Sequence, residues 1–174
     1  MKYFFFPRAR AWHGCKPLVF DEDLAIGALR HAREIIRRKN MHHSPAKDYG
    51  ENLFLKEGKP GIRVHGAEAT QAWYAEVADY DFNQDVQLPC VRFLLCLEGH
   101  FSQCIWTDTK RAGFAVASTP DGTIKVVVAQ YKPPGNYIGQ WIEKVPAPLN
   151  GQKPHPKPSD LSELTTLTME WGIV

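Results

Sequence analysis

The chain has 174 residues, of which 44% are hydrophobic and 23% are charged, a composition that suits one globular domain with a substantial core. Its formal net charge of +2 is too small for a protein that follows nucleic-acid phosphates, because such proteins concentrate Lys and Arg far more strongly. Composition therefore excludes a nucleic-acid partner. The sequence contains no apolar run long enough to cross a bilayer, and the N-terminal run that ends at Pro7 is too short for a signal-peptide core.

The first strong helical pattern follows Asp21, a residue type that caps helix N-termini. Apolar residues then recur three or four positions apart, which predicts a helix with one buried stripe: Leu24, Ala25, Ala28, Leu29, Ala32, Ile35 and Ile36. The pattern ends in Arg37, Arg38 and Lys39, cations that suit the negative end of a helix dipole. Contact with anionic lipid is the alternative role for these cations.

A loop rich in Gly and Lys is predicted from the end of "GENLF" to about Gly66, and residues 67–82 then repeat the helical pattern. The predicted buried positions are Ala69, Ala72, Trp73, Val77 and Tyr80. Glu76 falls on the same face as Trp73 and Tyr80, so its carboxylate is expected to lean toward the core. A buried carboxylate needs a partner, because an unpaired buried charge is strongly destabilising.

The C-terminal half contains a hairpin signal and a second short helical pattern. Residues 113–131 form two β-branched or alternating runs around Pro120, Asp121 and Gly122, which predicts two strands joined by a turn. The stretch "GHFSQCIWTDT" before them is typical of a helix that starts at His100. From Gly151 onward the chain is rich in Pro, Ser and Thr, so residues 151–174 are expected to be a mobile tail.

Five segments together resemble a known family, the CAP superfamily of cysteine-rich secretory, venom antigen 5 and plant pathogenesis-related class one proteins. They are "HGCKPLVFDEDLA" (13–25), "HSPAKDYGENLF" (43–54), "WYAEVADYDF" (73–82), "GHFSQCIWTDTKRAGFAVA" (99–117) and "VVVAQYKPPGN" (126–136). The chain is most similar to the Golgi-associated branch of that superfamily, whose members are intracellular and poor in cysteine. Ala129 stands where secreted relatives commonly carry a cysteine.

The resemblance implies an α+β fold, an α-β-α sandwich in which helices flank a small antiparallel sheet. It covers residues 8–150 as one CAP domain and leaves two parts without a counterpart, residues 1–7 and an apolar insertion at residues 91–98. Both would also arise from a variant transcript or an imperfect gene model, which sequencing the expressed messenger RNA would test. The few cysteines require no disulfide framework, so we expect free thiols: Cys15, Cys90, Cys96 and Cys104.

The same resemblance implies a cleft formed by His43, Glu51, Glu76 and His100. Two imidazoles and two carboxylates suit zinc or another divalent cation, with the histidines as direct ligands and the glutamates orienting them. A satisfied polar network without a metal is the equally weighted alternative. The family signatures and groove further include Ser44, Gln103, Trp106, Tyr131 and Asn136.

Catalysis is the less favoured use of these residues. Two carboxylates could serve glycoside hydrolysis, and Ser44 next to His43 could suggest a nucleophile. Ser44 followed by Pro45 is, however, the pattern of a helix cap with proline in the first turn. Of the aromatic residues that would suit an apolar groove, we expect most to lie in the core: Trp106, Phe114, Tyr131, Tyr137 and Trp141.

The sequence and the resemblance together predict a non-enzymatic, intracellular protein that associates peripherally with membranes. The implied partners are acidic membrane lipids or a sterol, and a second copy of the chain in a homodimer. The alternatives are a secreted, defence-type CAP protein and a metal-dependent hydrolase or protease.

Overall fold

The computed structural model describes residues 4–5, 7–64, 66–85 and 99–154. The helices in this part of the chain are α1 (Pro7–Trp12), α2 (Glu22–Arg38), α3 (Gly66–Ala75), α4 (His100–Ile105) and α5 (Trp141–Lys144), with a 3₁₀ turn at Glu76–Ala78. The strands are β1 (Phe4–Phe5), β2 (Leu18–Phe20), β3 (Gly50–Glu57), β4 (Arg111–Ser118) and β5 (Ile124–Lys132). They form one sheet in the order β1-β2-β4-β5-β3, so β3 lies at an edge.

The predicted hairpin is confirmed, and it forms the centre of the sheet. Strands β4 and β5 pair antiparallel, and Asp121 accepts hydrogen bonds from the backbone and hydroxyl of Thr123 in the turn. Strand β3 pairs antiparallel with β5 along its whole length. The expected loop after Phe54 is wrong at its start, because residues 55–57 continue β3 and pair with residues 124–126.

We expected a wholly antiparallel sheet, but β2 pairs parallel with β4. Strand β1 adds an antiparallel edge through the pairs Phe4 with Val19 and Phe5 with Leu18. Pro7 is the first residue of α1, a position where its missing N–H leaves no intrahelical bond unmade. The N-terminal segment therefore supplies both an edge strand and a helix start.

Helix α2 packs on one face of the sheet, as its apolar stripe predicts. The Asp21 side chain accepts a hydrogen bond from the Leu24 N–H and caps the helix. A side chain at Gly113 of β4 would overlap the backbone nitrogen of Ala25, so helix and strand are in direct backbone contact. Leu29 is only half-buried, and His31, 7% exposed, takes a place in the buried face instead.

The opposite face of the sheet is covered by α1, α3 and α4. Trp73, Val77 and Tyr80 are buried there as predicted, whereas Ala72 is exposed and Tyr74 is buried in its place. Helix α3 ends at Ala75, earlier than the helical pattern to residue 82 suggested, and the 3₁₀ turn follows.

Side chains of β5 alternate between the two layers. Val126 and Val128 pack with α2, and Val127, Ala129 and Tyr131 pack with the other helices. This arrangement confirms the α-β-α sandwich. None of the helices in the described part of the chain combines the length and hydropathy that crossing a bilayer requires. Residues 91–98, Cys90, Cys96 and residues 155–174 lie outside the described residues.

Candidate functional site

The four predicted cleft residues form two histidine–glutamate pairs. His43 Nδ1 lies 3.0 Å from Glu51 Oε1, and His100 Nδ1 lies 2.7 Å from Glu76 Oε1. An ionised carboxylate can only accept hydrogen bonds, so each imidazole donates from Nδ1 and, when neutral, keeps a lone pair on Nε2. Both histidines therefore have the same tautomer.

Glu51 is held at the start of edge strand β3 by several donors. Its side chain is 5% exposed, and besides His43 it accepts hydrogen bonds from the Ser44 N–H at 2.9 Å and the Gln130 side chain at 3.1 Å. Burial raises the pKa of Glu51, but these hydrogen bonds outweigh burial and hold the pKa below its ordinary value. The carboxylate is thus kept ionised as an acceptor for His43.

Glu76 holds both the ring and the backbone at the start of α4. Its Oε1 accepts from His100 Nδ1, and its Oε2 accepts from the Phe101 N–H at 2.9 Å. Gly99 offers no side chain to cap this helix, so Glu76 supplies the missing acceptor from the 3₁₀ turn. The predicted inward lean of Glu76 is confirmed, with the carboxylate 22% exposed against an imidazole that is 21% exposed.

Asn52 connects the two pairs through strand β3. Glu51 points to the α2 side of the sheet, where Gln130 and His31 lie, and the next residue points to the other side. There the Asn52 amide donates to the His100 carbonyl oxygen at 3.1 Å and to the Tyr131 hydroxyl at 3.2 Å. Adjacent residues of one strand thus anchor both halves of the candidate site.

Two predicted signature residues attach the loop after β5 to helix α4. Gln103 accepts from the Gly135 N–H at 2.8 Å and donates to Thr109 Oγ1 at 3.1 Å. Asn136 accepts from Ser102 Oγ at 2.6 Å and donates to the Gly99 carbonyl oxygen at 2.8 Å. Gln103 and Asn136 therefore support the helix that carries His100.

Most of the aromatic residues considered for a groove are core residues, as expected. Trp106 and Tyr131 are buried, and Phe114 packs partly buried against the same core. Trp141 also packs against it, whereas Tyr137 is half-exposed.

The predicted helix cap at Ser44 is wrong, because no helix begins in the described residues 40–49. The Ser44 N–H bonds to Glu51 instead of opening a helix, and the Ser44 hydroxyl accepts a hydrogen bond from Tyr49 at 2.9 Å. The hydrogen bond from the Ser44 N–H to Glu51, seven residues further along the chain, has overridden the local Ser-Pro signal. The residue thus orients the loop that carries His43.

Sequence reasoning missed His31 and Gln130, which complete the surroundings of Glu51. His31 Nε2 lies 3.6 Å from Glu51 Oε1 and donates to the His42 carbonyl oxygen at 2.7 Å. Because that nitrogen carries the proton, His31 does not share the tautomer of His43. The signal for His31 was its position in the apolar stripe, three residues after Ala28 and four before Ile35.

The donor set limits the kind of metal site that can form. Within the described residues, no three side chains of the types His, Cys, Asp or Glu lie together as a metal-holding group. The glutamate oxygens that bond the histidines are engaged, so the available donors are the two Nε2 atoms. A closed structural zinc site uses four protein ligands, and the described residues supply no such set.

Comparison with known proteins identifies the family. The profile of the cysteine-rich secretory protein family, CAP, matches residues 6–131. Pathogenesis-related protein 1A of Nicotiana tabacum is 35% identical over 132 residues, covering 76% of this chain and 73% of the relative. The human Golgi-associated plant pathogenesis-related protein 1 is 30% identical over 134 residues, covering 75% and 79%.

Solved structures agree on the fold. The crystal structure of NaASP2 with Zn²⁺ superposes with a TM-score of 0.57 at 24% identity, covering 79% of this chain and 70% of that one. Venom allergen-like protein 4 of Schistosoma mansoni superposes with a TM-score of 0.54 at 21% identity, covering 76% and 77%. The profile match over residues 6–131 and the two relatives show that the chain belongs to the cysteine-rich secretory protein (CAP) family.

Proposed function

We propose that this chain is a non-enzymatic CAP-domain protein that binds a divalent cation through His43 and His100 and associates with acidic lipids of an intracellular membrane. One observation carries the metal proposal. Each of the two histidines donates its Nδ1 proton to a glutamate, at 3.0 Å and 2.7 Å, which leaves both Nε2 atoms as lone-pair donors. Carboxylates that orient metal-bound imidazoles in this way are common partners of zinc ligands.

The donors favour zinc over calcium or magnesium, because imidazole nitrogen suits zinc and the two harder cations prefer oxygen. A cation held by two imidazoles would keep coordination positions open to water or to an anionic ligand. Since only the neutral imidazole binds metal, acidification should weaken the affinity. The Zn²⁺ in the NaASP2 structure supports the choice of this metal for a related fold.

Calorimetric titration of zinc at neutral pH tests this site directly. We expect saturable binding by the protein and its loss in the double variant His43→Ala/His100→Ala. His42→Ala is the matched control, because His42 Nδ1 donates to the Asn40 carbonyl oxygen and has no described bond to Glu51. Unchanged binding in the double variant, or equal loss in the control, would refute the assignment.

The lipid proposal draws support from the relatives and from the thiols. One relative is named as Golgi-associated. Cys15 and Cys104 are buried and free, which suits a reducing compartment. Flotation with vesicles of phosphatidylcholine alone, with added phosphatidylserine, or with added sterol would separate binding to acidic lipid from binding to sterol. If the protein floats with none of these vesicles, membrane association is refuted. Sedimentation equilibrium would test the proposed homodimer.

The pathogenesis-related relatives favour the second candidate, a secreted defence-type protein. Imaging the tagged protein in its own cells separates the two, because delivery into the medium would refute an intracellular role. Turnover of peptide or glycan substrates that Glu76→Gln abolishes would instead assign a hydrolase and overturn the non-enzymatic proposal.

A further inference from the structure

We infer that the outward face of helix α2 is the surface through which the protein docks on an anionic phospholipid bilayer. This inference rests on the proposed lipid association and names the part of the molecule that makes the contact. The outward face is defined by residues three or four positions apart along the helix: Ile26, Leu29, Arg30, Arg33 and Arg37.

The outward face combines apolar and cationic side chains without burying them. Ile26 is 51% exposed, Leu29 is half-buried, and Arg30 and Arg33 are exposed. A hollow of about 310 Å³ opens on this face, and its described lining consists of these residues with Glu34 and Arg37. An exposed isoleucine and a half-buried leucine beside arginines form the pattern of a helix that lies in the interface of a membrane.

The charge of this face is positive and largely uncompensated. Its acidic lining residue, Glu34, is bonded by Arg37 through two nitrogens and is also contacted by Arg38. Across the described residues, Arg30 and Arg33 take part in no ion pair. Lys39 follows at the end of the helix and adds a further cation. A surface of this sign is complementary to the negative surface of an acidic membrane.

The guanidinium groups also fit the chemistry of the headgroup. Arg30 and Arg33 present planar forks that bind phosphate oxygens in pairs, which lysine ammonium groups do less well. Ile26 and Leu29, one turn toward the N-terminus, offer apolar surface for the adjoining acyl region. The helix is fixed to the sheet by its backbone contact at Gly113, so no ordering step is needed before it meets a membrane.

A second exposed apolar patch lacks this charge. Tyr137, Ile138 and Ile142 are 51%, 85% and 52% exposed, but the neighbouring Lys144 is paired with Asp108 and Glu143. Its cation is thus already balanced by carboxylates. Among the described surfaces, the outward face of α2 therefore fits an anionic bilayer better.

Co-sedimentation with vesicles tests the inference, using phosphatidylcholine with and without about one third phosphatidylserine. We expect Arg30→Glu/Arg33→Glu to weaken binding to the anionic vesicles at least about tenfold, since each arginine contributes near the membrane surface. The matched control is Lys59→Glu/Arg63→Glu, which changes the net charge equally at two exposed loop positions outside α2. We expect Ile26→Asn to weaken binding more than Ile138→Asn.

The outcomes separate this inference from the function on which it rests. If the unaltered protein ignores anionic vesicles, the proposed lipid association fails and the inference with it. If it binds but both charge-reversed double variants lose affinity equally, lipid association stands and the assignment to α2 is overturned. Capture of an acidic polypeptide such as polyglutamate through Arg30 and Arg33, without vesicle binding, would assign the face to a protein partner instead.

Discussion

The substitution Glu76→Gln should impair the proposed metal site by changing the position of a single proton. The carboxylate now accepts two hydrogen bonds, one on each oxygen, from His100 Nδ1 at 2.7 Å and from the Phe101 N–H at 2.9 Å. A glutamine of the same size has only one accepting oxygen. Its amide nitrogen must therefore face one of these two donors.

The backbone N–H of Phe101 determines from which of the two donors the glutamine oxygen accepts. The Phe101 N–H is fixed in the first turn of α4 and always donates, whereas the His100 ring can move its proton to Nε2. The glutamine oxygen should thus face Phe101, and its NH₂ group should donate to a deprotonated Nδ1. His100 would then present an N–H, in place of a lone pair, toward the cation. Perturbed orienting partners typically lower metal affinity about ten- to one-hundredfold, equivalent to about 1.4–2.7 kcal/mol.

Two measurements check this prediction. Zinc calorimetry should show the loss of affinity, and long-range ¹H–¹⁵N correlation spectra of the metal-free protein should show His100 changing from the Nδ1–H to the Nε2–H tautomer. The melting temperature should change little, because both hydrogen bonds persist with a neutral partner.

Glu51→Gln provides a matched control with the opposite expectation. His43 and the Ser44 N–H both bond to the same oxygen, Oε1, so one amide oxygen can serve both. The new NH₂ group would face Gln130, whose own amide can turn over and accept. His43 should therefore keep its tautomer. If His100 keeps the Nδ1–H tautomer in Glu76→Gln, or if the two variants lose zinc affinity equally, the reasoning fails.

Three further predictions concern stability and reactivity. Burial lowers the pKa of His13 below its ordinary value of 6.5, so the stability that neutral His13 contributes should be complete above that pH and should fall as acid protonates the unfolded chain first. Melting curves at neutral pH and about pH 5 should show this loss, and His13→Gln should make it smaller. A Cβ atom at Gly135 would lie 2.7 Å from Trp106 Cγ, so Gly135→Ala should lower the free energy of unfolding by about 1–3 kcal/mol. Urea titrations measure this change, and an unchanged unfolding midpoint would contradict the packing. Burial raises the pKa of Cys104 to about 12, so iodoacetamide should label this thiol only after unfolding. Mass spectrometry of the peptides can show the labelling, and rapid labelling of the native protein would contradict the burial of Cys104.

Local patterns predicted those parts of the fold that depend on neighbours along the chain. The Asp21 cap, the hairpin turn at Asp121 and the inward lean of Glu76 follow from spacing and residue type alone. The cleft residues were recognised through their resemblance to the family rather than through periodicity.

The remaining contacts depend on pairing between distant strands. In β3 the apolar residues Leu53, Phe54 and Leu55 are consecutive, so the alternation that marks a strand is absent from its sequence. Register with β5 then places Glu51 opposite Gln130, a contact that no local pattern encodes. The hydrogen bond from the Ser44 N–H to Glu51, in turn, explains why Ser44 was mistaken for a helix cap.

Because Glu51 and Asn52 point to opposite faces of the sheet, insertions and deletions in β3 affect both halves of the site. The first residue holds the loop of His43 and the second holds the helix of His100, and a single peptide unit separates them. Inserting or deleting one residue directly after them, before the residues 53–57 that keep the register with β5, would exchange the two faces and detach both histidines at once. Strand β3 should therefore tolerate no single-residue length change there, whereas residues could be added at the exposed positions 46–48 without altering either anchor.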